Sequence, residues 1–130
     1  LEKLAGDGKA FCTGRENRKK LQIETTFDGT RVHPEQTGSI ANLSTDNFTP
    51  AAFVYGTLEG MSRELYQMYQ TIQNGTGMQI KYMIGSGNGL RKNPVLCEIV
   101  EEMFGAKLAL AECEEEAATG AALSSMQQDE

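Results

Sequence analysis

An α/β layer is the fold class the sequence predicts, and three observations in the second half of the chain carry that prediction. A strand pattern at Gln79 to Ile84 runs directly into a glycine-rich loop, Gly85-Ser86-Gly87-Asn88-Gly89. A helical apolar stripe follows the loop. A short strand pattern at Lys107 to Ala111 and a last small-residue helix complete the series. Two strands joined by a right-handed helical crossover lie parallel, with helices packed on the sheet. An open site in such a layer is expected at the carboxyl ends of the strands.

The whole chain suits a layer of that kind. Its 130 residues amount to one domain's worth of chain, long enough to bury a core without disulfides or metals. Hydrophobic residues at 39% and charged residues at 23% describe a globular rather than a disordered composition. Twelve basic against eighteen acidic residues give a net charge of −6, a poor balance for general nucleic-acid binding. No apolar run is long enough to span a bilayer, so no membrane partner is expected. Cys12, Cys97 and Cys113 form no C-x-x-C pair, which argues against zinc and for small thiols in a reducing compartment. Three glycosylation tripeptides, at Asn42, Asn47 and Asn74, read as chance without a signal-like leader. A cytoplasmic location is expected. Leu1 in place of Met suggests a piece of something longer.

Taken in order, residues 1–20 predict an irregular or helical lead-in, with Leu1 to Ala5 ending a helix and Gly6-Asp7-Gly8 turning. The charged run Arg15 to Lys20 reads as a solvated surface. Leu21, Ile23, Thr25 and Phe27 alternate with polar residues, the period of a half-buried strand, and Asp28-Gly29 ends it as a turn. A loop-rich stretch follows, with a short strand at Ser39 to Ala41. Thr49-Pro50 opens a helix, because threonine caps free N–H groups and proline is tolerated in the first turn. Val54, Leu58, Met61, Leu65, Met68 and Ile72 then mark one apolar stripe facing the core. Asn74-Gly75-Thr76-Gly77 closes that helix.

Gln79 to Ile84 is read as a buried strand, with Ile80, Tyr82 and Ile84 on one face. Asn93-Pro94 repeats the cap-plus-proline start. Leu96, Ile99, Val100, Met103 and Phe104 form the next stripe, which ends at Gly105. Glu114 to Ser125 predicts the last helix, and residues 126–130 a frayed, flexible tail.

The Gly85 to Gly89 loop is the segment that could carry chemistry. Three glycines at alternate positions let the main chain approach a ligand and present N–H groups to it; a tight strand-to-helix turn explains them equally. The string lacks a Walker A lysine, and Leu90 stands where a dinucleotide fingerprint needs its third glycine. Asn93 caps a helix and, beside the glycines, is placed to bond a purine or ribose. His33 is the only histidine and reads as a loop residue; Asp28 and Asp46 are explained by local turns. No catalytic or metal-binding residue is assigned.

Several of these blocks in succession resemble a known family. Phe27-Asp28-Gly29-Thr30-Arg31-Val32-His33-Pro34, Gly38-Ser39-Ile40, Thr49-Pro50 and Leu58-Glu59-Gly60-Met61 resemble the middle of the C-terminal domain of FGGY carbohydrate kinases. Gly85 to Pro94 resembles that family's glycine-rich adenosine loop, and Glu115-Glu116-Ala117-Ala118-Thr119-Gly120-Ala121-Ala122 its closing helix. Glu24-Thr25-Thr26-Phe27 and the loop spacing are most similar to the sedoheptulokinase-like branch. The resemblance implies a partial ribonuclease-H-like (actin-like ATPase) domain over residues 21–125.

It further implies ATP and magnesium as cofactors, a ketose or polyol substrate, and a base on a separate N-terminal domain. Gly85, Ser86, Gly87 and Asn88 would line the adenosine, with Asn93 reaching the base or ribose and the Glu115 helix packing behind. The family's Gly-Thr phosphate loop is not recognisable here, and extra residues separate Gly87 from Asn93. Two rival expectations remain open: a non-enzymatic actin-like nucleotide switch, and a fragment of a nicotinamide-dependent oxidoreductase. For the kinase reading, a homo-oligomer is left open beside the sugar, ATP and the N-terminal domain as partners.

Overall fold

The computed structural model describes residues 1–13, 20–112 and 116–127. Most of the charged run at 15–20, the Cys113 thiol and residues 128–130 of the expected tail lie outside them. Among the described residues nine elements follow in the order α1 (Glu2–Thr13), β1 (Gln22–Glu24), β2 (Ser39–Ala41), α2 (Pro50–Thr76), β3 (Tyr82–Gly85), α3 (Asn88–Arg91), α4 (Pro94–Phe104), β4 (Lys107–Leu110) and α5 (Glu116–Gln127). β1 and β2 pair antiparallel, Ile23 opposite Ile40. β3 and β4 pair parallel, from Tyr82 opposite Lys107 to Gly85 opposite Leu110. The chain is therefore α/β, with β1 of one small sheet packed on α2 and β4 of the other on α4.

The helix boundaries follow from capping. The Ala52 N–H donates to Thr49 Oγ1 at 3.2 Å, and Gly77 ends α2 in a left-handed conformation. The Leu96 N–H donates to Asn93 Oδ1 at 3.2 Å, and Gly105 ends α4 in the same way. Each cap satisfies a main-chain group the helix itself leaves unpaired.

Sequence and structure part in four places. The lead-in does not turn at Gly6 to Gly8, because α1 runs through both glycines. Gly8 is buried where α1 crosses α2: a β-carbon there would stand 2.3 Å from Ala51 O and 2.6 Å from Tyr55 Cβ. Its glycine serves close helix contact rather than chain reversal. The first strand is shorter than its alternation implied, since the chain bends after Thr25, with the Gly29 N–H donating to Thr26 O.

The third difference concerns α2. Its predicted stripe is buried only at Leu58 and half-buried at Val54, while Met61, Leu65, Met68 and Ile72 remain 47 to 63% exposed. The tightly packed face instead carries Ala52, Gly56 and Gly60, one turn apart. β1 lies on that face, with Ile23 as its wedge at 2% exposure. Small residues at four-residue spacing let the strand's main chain come against the helix. Hydrophobic period shows which residues share a side, not which side receives a partner.

The fourth concerns β3, read as buried. Tyr82 and Ile84 are 77% and 80% exposed, and Met83 and Gly85 turn inward. Ile80 lies before the strand, its N–H donating to the Tyr69 hydroxyl at 3.2 Å.

Two apolar clusters hold the fold. Ala5, Tyr55, Leu58 and Ile99 join α1, α2 and α4, with Val54, Val95, Leu96 and Met103 packed around them. Leu21, Ile23 and Ala52 join β1 to α2. Farther along α2, Tyr66 and Tyr69 meet Phe104 of α4 at ring-centroid distances of 5.2 and 5.4 Å. α5 shows exposed side chains throughout 118–125, and Gly120 has open space around it.

Candidate functional site

β3 delivers the glycine loop to the edge of α2. The strand ends at Gly85, whose missing side chain is filled by its own neighbours: a β-carbon would stand 2.7 Å from Leu90 Cδ1 and 3.1 Å from Leu108 Cδ1. That glycine is needed for internal packing. Gly87 has φ +96° with open space around it, a conformation that L side chains rarely adopt. It reverses the chain into the single turn of α3, and Lys92 closes that turn through main-chain bonds to Asn88 O and Leu90 O.

The reversal places α3 and the start of α4 opposite the first half of α2, and a cavity of about 650 Å³ lies between them. Phe53, Val54, Leu58 and Met61 of α2 form one wall, with Thr57 among them. Asn88, Gly89, Lys92 and Asn93 form the other, backed by Leu96, and Leu1 closes one end. Of the residues the sequence singled out, the structure brings Asn88 and Asn93 together here. Gly85, Ser86 and Gly87 stand outside the lining; Gly85 is buried and Ser86 exposed.

Asn93 is the more informative of the two. Only 6% of it is exposed, and its Oδ1 accepts the Leu96 N–H. The amide nitrogen must then face away from the helix. Among the described residues nothing accepts a hydrogen bond from it. A donor on the polar wall, facing the apolar residues of α2, favours a ligand that is flat and apolar in body with acceptor atoms on its edge. Removing the cap also tests the structural role: Asn93→Ala is expected to destabilise the protein by about 1 kcal/mol, read from urea unfolding midpoints, and an unchanged midpoint would reject it.

The α2 wall was not legible as a site. Val54 and Leu58 read as core, and only the later placement of Asn88 opposite them distinguishes a lined cavity from a packed interface. Cys97 lies behind α3, its thiol donating to Leu90 O at 3.3 Å. Burial pushes that thiol's pKa up, helped by the nearby Glu101 carboxylate, so it stays neutral and structural. His33 lies in a separate open groove of about 380 Å³ with Thr30, Gln36 and Glu64, its Nδ1 3.4 Å from Glu35 Oε1. Among the described residues no group of three or more His, Cys, Asp or Glu could hold a metal ion, so no magnesium ligand is assigned to them. No helix among them is long and apolar enough to cross a membrane.

The fold recurs in solved structures. The fold superposes on a "xyloylose kinase" from Brucella ovis with a TM-score of 0.66 at 16% identity, covering 85% of this chain and 22% of that one. A xylulose kinase from Rhodospirillum rubrum gives 0.62 at 17% identity, covering 81% of this chain and 21% of that one. The chain thus shares an α/β fold with sugar kinases and spans about a fifth of their length. Residues 20–127 match the C-terminal domain of the FGGY family of carbohydrate kinases, and the chain belongs to that family. No curated protein is significantly similar to it.

Proposed function

We propose that the chain is the nucleotide-binding part of a cytoplasmic, ATP-dependent carbohydrate kinase with an actin-like fold. The cavity between α2 and the α3–α4 corner takes the adenosine of ATP. The observation that carries this reading is the unpaired Asn93 amide on the wall of an apolar cavity, in a chain of a kinase family. Adenine's flat face packs against Phe53, Val54 and Leu58, and its ring nitrogens accept from Asn93. Asn88 stands beside the ribose, and the Ser86–Gly87 main chain flanks the start of the phosphate chain.

Phosphoryl transfer depends on positioning donor and acceptor in line and on neutralising charge that develops between them. The described residues supply the donor's seat. The acceptor hydroxyl and its base belong to another domain in this reading, and closure of the two excludes water. A ketose or polyol is the acceptor; the neighbours named xylulose kinases support a pentulose, and the Glu24 to Phe27 resemblance supports a heptulose.

Gly89 gives a direct test, because it lies on the cavity wall, is exposed and has open space around it. Gly89→Trp fills the mouth without displacing a neighbour. Calorimetric titration is expected to show adenosine binding to the unsubstituted protein and a loss of about tenfold or more in the variant, a difference above 1.4 kcal/mol, at an unchanged melting temperature. Undiminished adenosine affinity would overturn the assignment.

A further inference from the structure

We propose that Lys92 recognises the anionic phosphate chain of the bound nucleotide, so that the site prefers charged adenine nucleotides to adenosine by direct charge contact. The proposal rests on the reading of the cavity as an adenosine seat and adds the residue that distinguishes its ligands.

Three observations lead to it. The chain carries a net charge of −6, yet among the described residues no Asp or Glu lines this cavity, and Lys92 supplies the only charged side chain. An anion entering the recess meets one ammonium and no lining carboxylate, an attraction that falls off with added salt. Lys92 is also available. Its side chain is exposed and has no ion-pair or hydrogen-bond partner among the described residues, whereas the neighbouring Arg91 is tied to Ala111 O at 3.1 Å. Finally, its main chain is fixed. The Lys92 N–H donates to Asn88 O and Leu90 O, and the next residue, Asn93, caps α4. The ammonium therefore projects from an anchored point between the two asparagines rather than from a loose loop.

The geometry makes Lys92 a binding residue for charge, with no part in holding the fold. Adenosine, ADP and ATP should be titrated into the protein and into Lys92→Ala and Lys92→Arg, at two salt concentrations. Lys92→Ala is expected to weaken ADP and ATP by about tenfold, the loss of one charge-assisted hydrogen bond, and to leave adenosine within about twofold of its original affinity. Lys92→Arg should restore most of the loss, and the salt dependence of ADP binding should flatten in the alanine variant. Equal losses for adenosine and ADP, or no loss for either, would overturn the role of Lys92 while leaving the adenosine seat standing. Failure of the unsubstituted protein to bind adenosine or ADP would overturn both readings together.

Discussion

Gly60→Ala is expected to destabilise the protein by about 3 kcal/mol and to lower its melting temperature by about 10 °C. In an exposed helix the same change is stabilising by up to about 1 kcal/mol, because alanine loses less backbone freedom on folding. Here the added carbon would stand 2.3 Å from the carbonyl oxygen of Ile23 and 3.0 Å from Thr25 Cγ2. That oxygen belongs to a strand fixed by its pairing with β2, so relief requires β1 to lift away from α2. Gly75, in the same helix with nothing within 4 Å, is the internal control. Alanine there should leave stability unchanged or raise it. Equal melting temperatures for the two variants would show that β1 does not press on α2 as described.

Ile23→Ala is expected to be as severe, at about 3 to 4 kcal/mol, since it removes three carbons from one of the most enclosed side chains and leaves a cavity. Chemical denaturation should show the midpoint falling with little change in slope. The neighbouring glycine gives a sharper check. A β-carbon on Gly56 would stand 3.2 Å from Ile23 Cδ1 and 3.3 Å from Cγ1, tighter than ordinary contact. Gly56→Ala should therefore stabilise the Ile23→Ala protein more than it stabilises the unsubstituted one, because both changes act on the same space. Strict additivity would mean that Ile23 does not sit over Gly56.

Those two positions also show what was legible in the sequence. Thr49-Pro50 and Asn93-Pro94 announced their helices because capping is a local interaction, complete within four residues. Gly77 and Gly105 ended them for an equally local reason, a left-handed backbone conformation. The parallel pairing of β3 and β4 followed from connection rules, and Ser39 to Ala41 was a strand as expected. Asn88 and Asn93 were singled out beside the glycines, and both line the cavity.

What escaped notice depended on partners distant in the chain. Gly8 looked like punctuation because its reason, contact with Ala51 and Tyr55, lies more than forty residues away. Ala52, Gly56 and Gly60 carry no hydrophobic weight, so a search for apolar period passed over them and chose the stripe from Val54 to Ile72. Spacing of small residues at i, i+4 and i+8 was the available signal. Lys92 was missed for a different reason. A lysine in a polar loop is ordinary until the wall opposite it is known to lack carboxylates.

Each of the two sheets contains only a pair of strands, so among the described residues neither has an interior strand. Every strand then offers a row of outward amide and carbonyl groups, a ready template for another extended backbone. Around β3 that row is bordered by the bare ring of Tyr82 and the side chain of Ile84. Mutual repulsion between copies of net charge −6 opposes strand addition, and salt weakens that protection.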